Sequence, residues 1–379
     1  MNSKSESLQA STNELSVPFF SEEQLVRLAV LENEERKHII RLPAEFKAAK
    51  NELQKSPKNY PDRPSKVTPI QFHLILTRFY QNTSILEFRR PPEIVPVMFN
   101  YRHRRVLESI FFHHPNARVT LHSNFMIQDD FRQFTDANYS LRVLPLDFEN
   151  LAVGTPLQGA TRDPKWKAWE AGRHWYTSFS NLYRLLLLWK VGGIYMDTDM
   201  LVTKPFYDLD RAIGFQDPAR RMANNAVLVF KEPGNPYVWR CLEEISSNYS
   251  TKLWGANGPS LLSRVWRRWN ATEERDAAVR VLDSDSFFLF LHSKVRAHCF
   301  GSDMEEEERA WYAQALAARV PYAVHLANKM SGDLFRTDLQ PGTFCHYLLT
   351  RFCVFCDDEP RRPPAYPPVV AGGARIELA

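Results

Sequence analysis

Two carboxylates, Asp197 and Asp199, stand two residues apart directly after the apolar run Ile194 to Met196. Placing two such charges beside a buried strand is costly unless a cation or hydrogen bonds compensate them. Carboxylate oxygens suit Mg²⁺ or Mn²⁺, and such an ion can also bind a diphosphate and neutralise the charge that develops as it departs. The alternative is a helix cap and surface turn, because Asp-x-Asp is a common tripeptide. The pair therefore marks a candidate metal site.

The segment around this pair predicts a helix, a turn and a strand. Ser180 can cap a helix that is apolar nearly all round, with Leu185 to Leu188 at its centre, so we expect the helix to be buried. Gly192 and Gly193 end it. The run Ile194 to Met196 then forms a buried strand, and the chain turns polar at its end. Both carboxylates should therefore lie at the carboxyl end of a strand.

The chain before this segment alternates between strand and helix patterns. We expect a strand at Ile94 to Asn100, a helix at Arg105 to His113, and strands at Ala117 to His122 and at Leu141 to Leu146. This order indicates an α/β fold with a parallel sheet and crossover helices. Nucleotide ligands on such sheets bind at the carboxyl ends of the strands.

Three segments follow from the composition along the chain. Residues 1–69 hold a polar lead, a helix from Ser21 to about Ile40 and a proline-rich linker, Ser56 to Pro69. We expect residues 70–358 to form the catalytic domain and residues 359–379 to form a proline-rich flexible tail.

The overall charge is too even to demand a nucleic-acid partner. The 379 residues include 48 basic and 44 acidic side chains, for a net charge of +4. The 44% hydrophobic content is that of an ordinary globular protein and excludes a disordered or fibrous chain. Short basic clusters at Arg102 to Arg105, at Arg220 with Arg221, and at Arg267 with Arg268 are interpreted as solvated surface.

Signals of cellular location are mixed. Cys353 and Cys356 form a single C-x-x-C, which indicates a local disulfide or free thiols more than zinc. N-x-S/T sequons fit a secretory route and start at Asn82, Asn138, Asn248 and Asn270. The sequence shows neither a transmembrane stretch nor a signal peptide.

Five segments together resemble a known family. They are RRVLESIFFHHPNA from Arg104, SNLYRLLLLWKVGGIYMDTDMLV from Ser180, NNAVLVFKEPGNP from Asn224, WGANGPSLLSRV from Trp254 and YAVHLANK from Tyr322. In this order they resemble the α-1,4-glycosyltransferases that include lactosylceramide 4-α-galactosyltransferase, especially the plant and algal members. The resemblance covers roughly residues 94–356.

This resemblance implies a type A glycosyltransferase fold, with a Rossmann-like, mostly parallel sheet flanked by helices and here an N-terminal helical extension. It further implies a divalent metal, Mn²⁺ or Mg²⁺, a UDP-sugar donor, and retention of the donor's anomeric configuration. The enzyme would move a hexose or N-acetylhexosamine to a hydroxyl of a glycan or glycolipid, giving an α-linked product. It also implies residence in the Golgi lumen, where membrane association is possible.

The resemblance assigns the metal site by position. Asp199 would be a direct metal ligand, and His325 would complete the site through a ring nitrogen. Asp197 would contact the ion and the donor's ribose or sugar. The alternative for His325 is a satisfied core histidine. Arg184 would reach the donor sugar or its diphosphate from the preceding helix, and its alternative is a surface arginine.

Three asparagines are assigned to the donor in the same way. Asn181 matches a sugar-hydroxyl contact; animal members place an Asp there, whereas plant-like members share the Asn. Asn225 and Asn257 match positions beside the donor, and both could instead be ordinary turn residues.

The chain departs from the family pattern at two places. Ala327 stands where many members have Trp in H-x-W-N-K, and Phe287 to Phe290 replace a frequent Tyr-Pro pair. Both places are expected near the sugar or the acceptor. Two other functions share the same residues: a metal-dependent nucleotide-sugar hydrolase, and a catalytically silent sugar-binding protein of the same fold.

Overall fold

A computed structural model describes residues 68–77, 99–217, 219–269, 279–301, 305–331 and 343–356. The helix predicted at Ser21 to Ile40 lies outside these residues, as do residues 1–67 of the predicted N-terminal segment and the whole predicted tail, 359–379. The sequons at Asn82 and Asn270 also lie outside them.

A seven-stranded sheet dominates the described residues, with a two-stranded sheet beside it. The strands are β1 (Gln71–Leu76), β2 (Arg118–Ser123), β3 (Ser140–Leu144), β4 (Gly193–Met196), β5 (Met200–Val202), β6 (Arg211–Asp217), β7 (Met222–Phe230), β8 (Arg280–Leu282) and β9 (Ala323–His325). The large sheet has the order β3-β2-β1-β4-β7-β6-β8, and β5 pairs with β9 in the small one.

The large sheet is mostly parallel, as predicted. Strands β1 to β4 pair in parallel, as do β6 and β8, whereas β7 runs antiparallel to both β4 and β6. The chain moves outward from β1 to β3 and then returns to place β4 on the other side of β1. The strand order therefore reverses between β1 and β4, and at such a switch point the diverging loops leave a crevice for a ligand.

Helices cover both faces of the sheet. The helices are α1 (Tyr101–His113), α2 (Arg132–Asp136), α3 (Phe148–Ala152), α4 (Pro164–Glu170), α5 (Trp175–Lys190), α6 (Pro236–Ser247), α7 (Pro259–Trp269), α8 (Glu306–Ala317), α9 (Asn328–Ser331) and α10 (Phe344–Arg351). Short 3₁₀ turns occur at Gln128–Phe131, Ala160–Arg162 and Ser284–Ser286, with a π turn at Arg296–Phe300.

Alternation along the strands divides the core into two layers. On β4, Ile194 and Met196 face one layer and Tyr195 faces the other. Helix α1 packs into the first layer, whereas α5, α6 and α7 pack into the second. The all-round apolar surface of α5 follows from this, since the helix lies beneath the sheet and against α6, and Leu182 and Leu186 are fully buried.

Two disulfides tie the later part of the chain together. Cys299 of the π turn bonds to Cys345 of α10, and Cys353 bonds to Cys356, which decides between the two states left open for that pair. Cys241 is a buried free thiol.

Several predicted boundaries need correction. Helix α5 begins at Trp175, so Ser180 is not its cap; the aromatic residues Trp175 and Phe179 extend the buried face by a further turn. The strand expected at Ile94 to Asn100 falls mostly outside the described residues, and Asn100 caps α1 instead. Strand β1 was not predicted from the sequence.

The interpretation of the basic clusters is correct for two and wrong for one. Arg220 with Arg221 and Arg267 with Arg268 are exposed, but Arg102 and Arg105 are buried in α1.

Candidate functional site

Asp197 follows β4 directly and is held by two side chains that precede it. Its Oδ1 atom accepts a hydrogen bond of 2.5 Å from the Tyr195 hydroxyl and lies 3.2 Å from Nη1 of Arg184. Its backbone N–H donates to the carbonyl of Ala226 on the neighbouring strand, which fixes the turn out of β4. About a third of the carboxylate side chain remains exposed, so the group faces the crevice while its base is anchored.

Arg184 is buried, so the alternative of a surface arginine is wrong. Its Nε and Nη2 donate to the carbonyl and hydroxyl of Ser180, and its Nη1 donates to the carbonyl of Asn225 and approaches Asp197. The guanidinium also lies over the Tyr195 ring, 4.1 Å from the ring centre. A guanidinium has five N–H donors, and these four contacts leave one for a ligand. The geometry therefore makes Arg184 first a positioning residue for Asp197.

Asp199 is buried and is held by a distant segment. Its Oδ2 atom accepts a 2.7 Å hydrogen bond from the backbone N–H of Asn328 and lies 3.4 Å from Nε2 of His325. Its backbone carbonyl accepts from the N–H of Leu326. These contacts form because β5 pairs with β9, which places Met200 opposite His325.

The segment from His325 to Ser331, here termed the clasp loop, is rigidly supported. Ala327 adopts a left-handed conformation with φ of 48°, a state that costs a non-glycine residue about 1 kcal/mol or more and persists only where contacts impose it. The buried guanidinium of Arg102 donates to the carbonyl of Leu326 and to the hydroxyl of Ser331. That hydroxyl in turn donates to the carbonyls of Leu326 and Ala327.

Ligand atoms of Asp197, Asp199 and His325 lie within 4.8 Å of one another. The structure therefore brings together the three residues predicted to bind the metal, and His325 contacts a carboxylate instead of being enclosed by apolar neighbours alone. The FFLF segment borders this cluster, since the ring of Phe288 packs edge-on against His325 and the carbonyl of Phe287 accepts from its N–H.

The two carboxylates are electrostatically unequal. Desolvation raises the pKa of Asp197, and the charge of Asp199 raises it further against the opposing effect of Arg184. Burial alone would raise the pKa of Asp199, but His325 and the Asn328 N–H hold it well below its usual range. Burial lowers the pKa of His325, and Asp199 outweighs burial and raises it. The repulsion at Asp197 is thus left for a cation to relieve.

The donor set fits a hard divalent ion. Neighbouring ligands of an octahedral ion with metal–oxygen distances of about 2.1 Å lie roughly 3 Å apart, close to the separation of Asp199 and His325. Two carboxylate oxygens and one imidazole suit Mn²⁺ or Mg²⁺. The residues present therefore fit the predicted cofactor.

A pair of amides lies beside Arg184. The Nδ2 group of Asn225 donates to Oδ1 of Asn181 at 2.6 Å, and both amides press against Gly258, where an added Cβ would lie 2.6 Å from each Nδ2 atom. This close packing requires glycine at that position. Asn181 and Asn225 thus orient each other, and Arg184 connects the pair to Asp197 by bonding both the Asn225 carbonyl and the carboxylate.

Asn257 is bonded differently. Its Nδ2 group donates to the hydroxyl of Ser178 and to the carbonyl of Ser250, and its Oδ1 accepts from the N–H of Ser250. These contacts pin the loop before α7 onto α5, which is a structural role. A direct contact between Asn257 and the donor stays a prediction.

Several residues at the site were not identified from the sequence. Tyr195 lay within a strand considered only as apolar, and Arg102 was assigned to the surface. The spacing of Arg102 from Val106 and Ile110, four and eight residues on, is the signal that places it on the buried face of α1. Thr77 directly follows β1, and among the described residues its buried Oγ1 has no hydrogen-bond partner.

Two family models match the chain. A glycosyltransferase sugar-binding region containing a DXD motif matches residues 100–219, which include Asp197 and Asp199, and an α-1,4-glycosyltransferase conserved region matches residues 230–359.

Curated relatives agree with these models. The lactosylceramide 4-α-galactosyltransferases of Mus musculus and Pongo pygmaeus are each 30% identical, over 59% and 56% of this chain and over 62% and 94% of their own lengths. The α-1,4-N-acetylglucosaminyltransferase of Homo sapiens is 30% identical over 53% of this chain and 56% of its own length. The chain thus spans less than two thirds of the mouse and human relatives.

Solved structures that resemble the chain include the PaToxG glycosyltransferase and the apo form of glycosyltransferase GlyE from Streptococcus pneumoniae. PaToxG is 15% identical with a TM-score of 0.37, over 78% of this chain and 99% of its own; GlyE is 10% identical with a TM-score of 0.39, over 69% and 55%. From the two family models and the relatives above, the chain belongs to the α-1,4-glycosyltransferase family, with the family's DXD motif at Asp197 to Asp199.

Proposed function

We propose that this protein is a retaining glycosyltransferase that moves a hexose or N-acetylhexosamine from a UDP-sugar to a hydroxyl of a glycan or glycolipid acceptor, giving an α-linked product. The cluster of Asp197, Asp199 and His325 carries the proposal, because its two carboxylates follow β4 at the switch point of the sheet and lie within the matched DXD region. The relatives, a lactosylceramide 4-α-galactosyltransferase and an α-1,4-N-acetylglucosaminyltransferase, support the same reaction class.

Asp197, Asp199 and His325 would hold Mn²⁺ or Mg²⁺. When bound there, such an ion neutralises the charge that develops on a departing diphosphate. The protein's own contribution is to keep these ligands fixed: Tyr195 and Arg184 hold one carboxylate, and the clasp loop holds the other. Fixed charges aimed at a developing charge need no reorganisation during the reaction.

Side chains around the crevice would bind the donor. The amides of Asn181 and Asn225 can hydrogen-bond sugar hydroxyls, and the remaining N–H of Arg184 can reach the sugar or the diphosphate. The hydroxyl of Thr77 follows β1 and has no partner among the described residues; it would contact the nucleotide part of the donor.

A front-face route would give retention with these residues. Asn181 and Asn225, which we place beside the sugar, carry amides, and an amide is a poor nucleophile for a covalent intermediate. The acceptor hydroxyl would instead attack from the face that the diphosphate leaves. The departing phosphate oxygen can take the proton of that hydroxyl, so no separate base is required.

A panel of UDP-sugars tests the proposal. With one donor and a suitable acceptor we expect Mn²⁺-dependent release of UDP and a new glycoside whose anomeric proton has the α coupling in NMR. A β-linked product would contradict retention. Free sugar with every acceptor would indicate the hydrolase, and no turnover together with donor binding would indicate the silent protein.

We also propose that residues 70–358 form the catalytic domain and that it works in the lumen of the secretory pathway, as Golgi residence requires. Two disulfides are typical of an oxidising compartment. The sequon residues Asn138 and Asn248 are exposed and could accept a glycan. Within the described residues no helix has the length and apolarity to cross a bilayer. Loss of mass on glycosidase treatment of the protein from secretory cells tests this placement.

A further inference from the structure

Asn328 is the first residue of α9 and lies against the candidate metal site. Its backbone N–H donates to Oδ2 of Asp199 at 2.7 Å, and the residue is 8% exposed. Its side-chain oxygen, Oδ1, is buried and has no hydrogen-bond partner among the described residues. A buried acceptor without a partner is rare and usually has a structural or functional cause.

The chemistry of the atom limits what it can bind. A carboxamide oxygen accepts hydrogen bonds or coordinates a cation, and it cannot bind another acceptor such as a phosphate oxygen. Because the side chain is short, its Oδ1 stays within about 5 Å of its own backbone nitrogen, which itself contacts a metal-binding carboxylate. A cation held by Asp199 is therefore a candidate partner for this oxygen.

The ligand count leaves room for such an oxygen. Mn²⁺ and Mg²⁺ take about six ligands in octahedral geometry, and carbonyl oxygens belong to the set they prefer. Asp197, Asp199 and His325 supply three, and a donor diphosphate supplies one or two more. One or two positions therefore remain, and a neutral oxygen from the protein can take one of them.

The backbone before Asn328 supports this role. Ala327 is held at a left-handed φ of 48°, and Arg102 and Ser331 brace the same turn from behind. Strained turns of this kind are found where the surrounding structure fixes a functional group in place. In the clasp loop the group that follows the strained residue is the Asn328 amide.

We propose that Oδ1 of Asn328 is a fourth protein ligand of the divalent ion. The inference rests on the metal dependence in the proposed function and extends it to a residue outside the DXD motif. The three other ligands carry the charge and the nitrogen, and Asn328 adds a neutral oxygen from the rigid clasp loop.

Binding of Mn²⁺ alone to the full chain, followed by the EPR signal of the free ion, tests this ligand. Asn328→Leu removes the oxygen at similar size while keeping the backbone bond to Asp199, and we expect its Mn²⁺ affinity to fall about tenfold or more. Asn328→Asp keeps an oxygen and adds charge, so its affinity should equal or exceed that of the parent. Asn224→Leu is the matched control, because both amide atoms of Asn224 already bond to protein groups; its affinity should not change.

Each contrary outcome has a distinct meaning. A parent-like Mn²⁺ affinity in Asn328→Leu overturns the ligand role. If the UDP-sugar affinity of that variant falls at the same time, the oxygen accepts a hydrogen bond from a hydroxyl of the UDP-sugar instead. Weaker binding by Asn328→Asp overturns it as well, and remains informative if the Leu variant does not fold. If the parent binds no Mn²⁺ with or without UDP, the metal dependence in the proposed function fails, and the ligand role fails with it.

Discussion

Asp197 and Asp199 are separated by one residue, yet two different regions of the molecule hold them. The contacts of Asp197 come mainly from the continuous stretch Ser180 to Asp197, through Arg184 and Tyr195. Those of Asp199 come from the clasp loop, 129 residues further along the chain at Asn328. A third element, α1, supports that loop through Arg102, across a separation of 224 residues.

The difference lies in how each carboxylate is made rigid. Asp197 directly follows β4 of the sheet and contacts Arg184 of α5, which packs beneath that sheet, so its position follows from the core. Asp199 depends on a short two-stranded sheet, a strained Ala327 and a buried arginine. The first carboxylate is therefore fixed by local structure, and the second requires the whole domain to be folded.

The largest expected effect comes from removing the charge of the second carboxylate. Asp199→Asn keeps the size of the side chain and an acceptor for the Asn328 N–H, but weakens the ion site. If the ion contributes several kcal/mol to the transition state, turnover should fall about a thousandfold or more, with little change in circular dichroism. Asp129→Asn, which changes an exposed carboxylate elsewhere, is the control and should keep the parent turnover. Parent-like turnover with an unchanged Mn²⁺ response would place the chemistry away from this pair.

Arg184→Gln probes the locally held carboxylate. It removes the ion pair with Asp197 and bonds to Ser180 and Asn225, so we expect kcat/KM to fall by about 10- to 100-fold, as for other groups that orient a metal ligand. Lys190→Gln, on the exposed end of the same helix, is the control and should keep the parent value. Equal losses in both variants would show that α5 acts only through its stability.

Arg102→Met probes the distant support. The change leaves Asp199 in place but removes the brace on the clasp loop, so we expect Mn²⁺ affinity to fall about tenfold, with lower thermal stability. Arg104→Met on the same helix is the control and should keep the parent Mn²⁺ affinity, because the ion pair of Arg104 is with Glu108 of its own helix. If Arg102→Met melts earlier but binds Mn²⁺ like the parent, the clasp loop does not need this brace.

The smallest effect on turnover is expected from His122→Gln, which tests stability apart from chemistry. Burial lowers the pKa of His122 from 6.5 to about 3, and its Nε2 bonds to Nδ1 of His73 in the sheet. As the pH falls, His122 is therefore protonated in the unfolded chain before it is protonated in the folded one. Stability present at neutral pH is lost as the pH falls below about 6.5.

Between pH 7 and pH 5, His122 alone should cost the parent about 2 kcal/mol of unfolding free energy. Urea unfolding of His122→Gln at both pH values should show a loss of unfolding free energy that is smaller than the parent's by that amount. Its turnover at pH 7 should match that of the parent. An unchanged difference between the two pH values would mean that His122 is protonated in the folded state or already neutral in the unfolded one.

How far the sequence predicts the molecule follows the same division. The end of α5 and strand β4 were predicted because Gly192 and Gly193 punctuate an apolar run. The start of α5 was not, because Ser180 resembles a cap while the aromatic residues before it continue the buried face. Strand β1 was missed because His73 interrupts its apolar pattern, and only the fold shows that this histidine pairs with another.

The site divides in the same way. Ordered motifs were sufficient to select Asp197, Asp199 and His325, and the structure confirms that these three meet. Arg102 and Asn328 could not be selected, since their roles arise from contacts between segments that no local pattern relates. Burial of a charge at Arg102 becomes reasonable only when the carbonyl of Leu326 and the hydroxyl of Ser331 are placed around it.

The long separation between Asp199 and the clasp loop also bears on biosynthesis. Chains emerge from the ribosome in order from the N-terminus, and early segments fold first. The turn between β4 and β5 that carries Asp197 and Asp199 is made well before His325 and Asn328. Arg102 is made earlier still, before the Leu326 carbonyl to which it donates. A nascent chain whose residue 331 has not yet emerged from the ribosome therefore carries two carboxylates but no complete ion site. Binding of the proposed metal should therefore come late in synthesis, when the clasp loop packs against Asp199 and completes the fold of the domain.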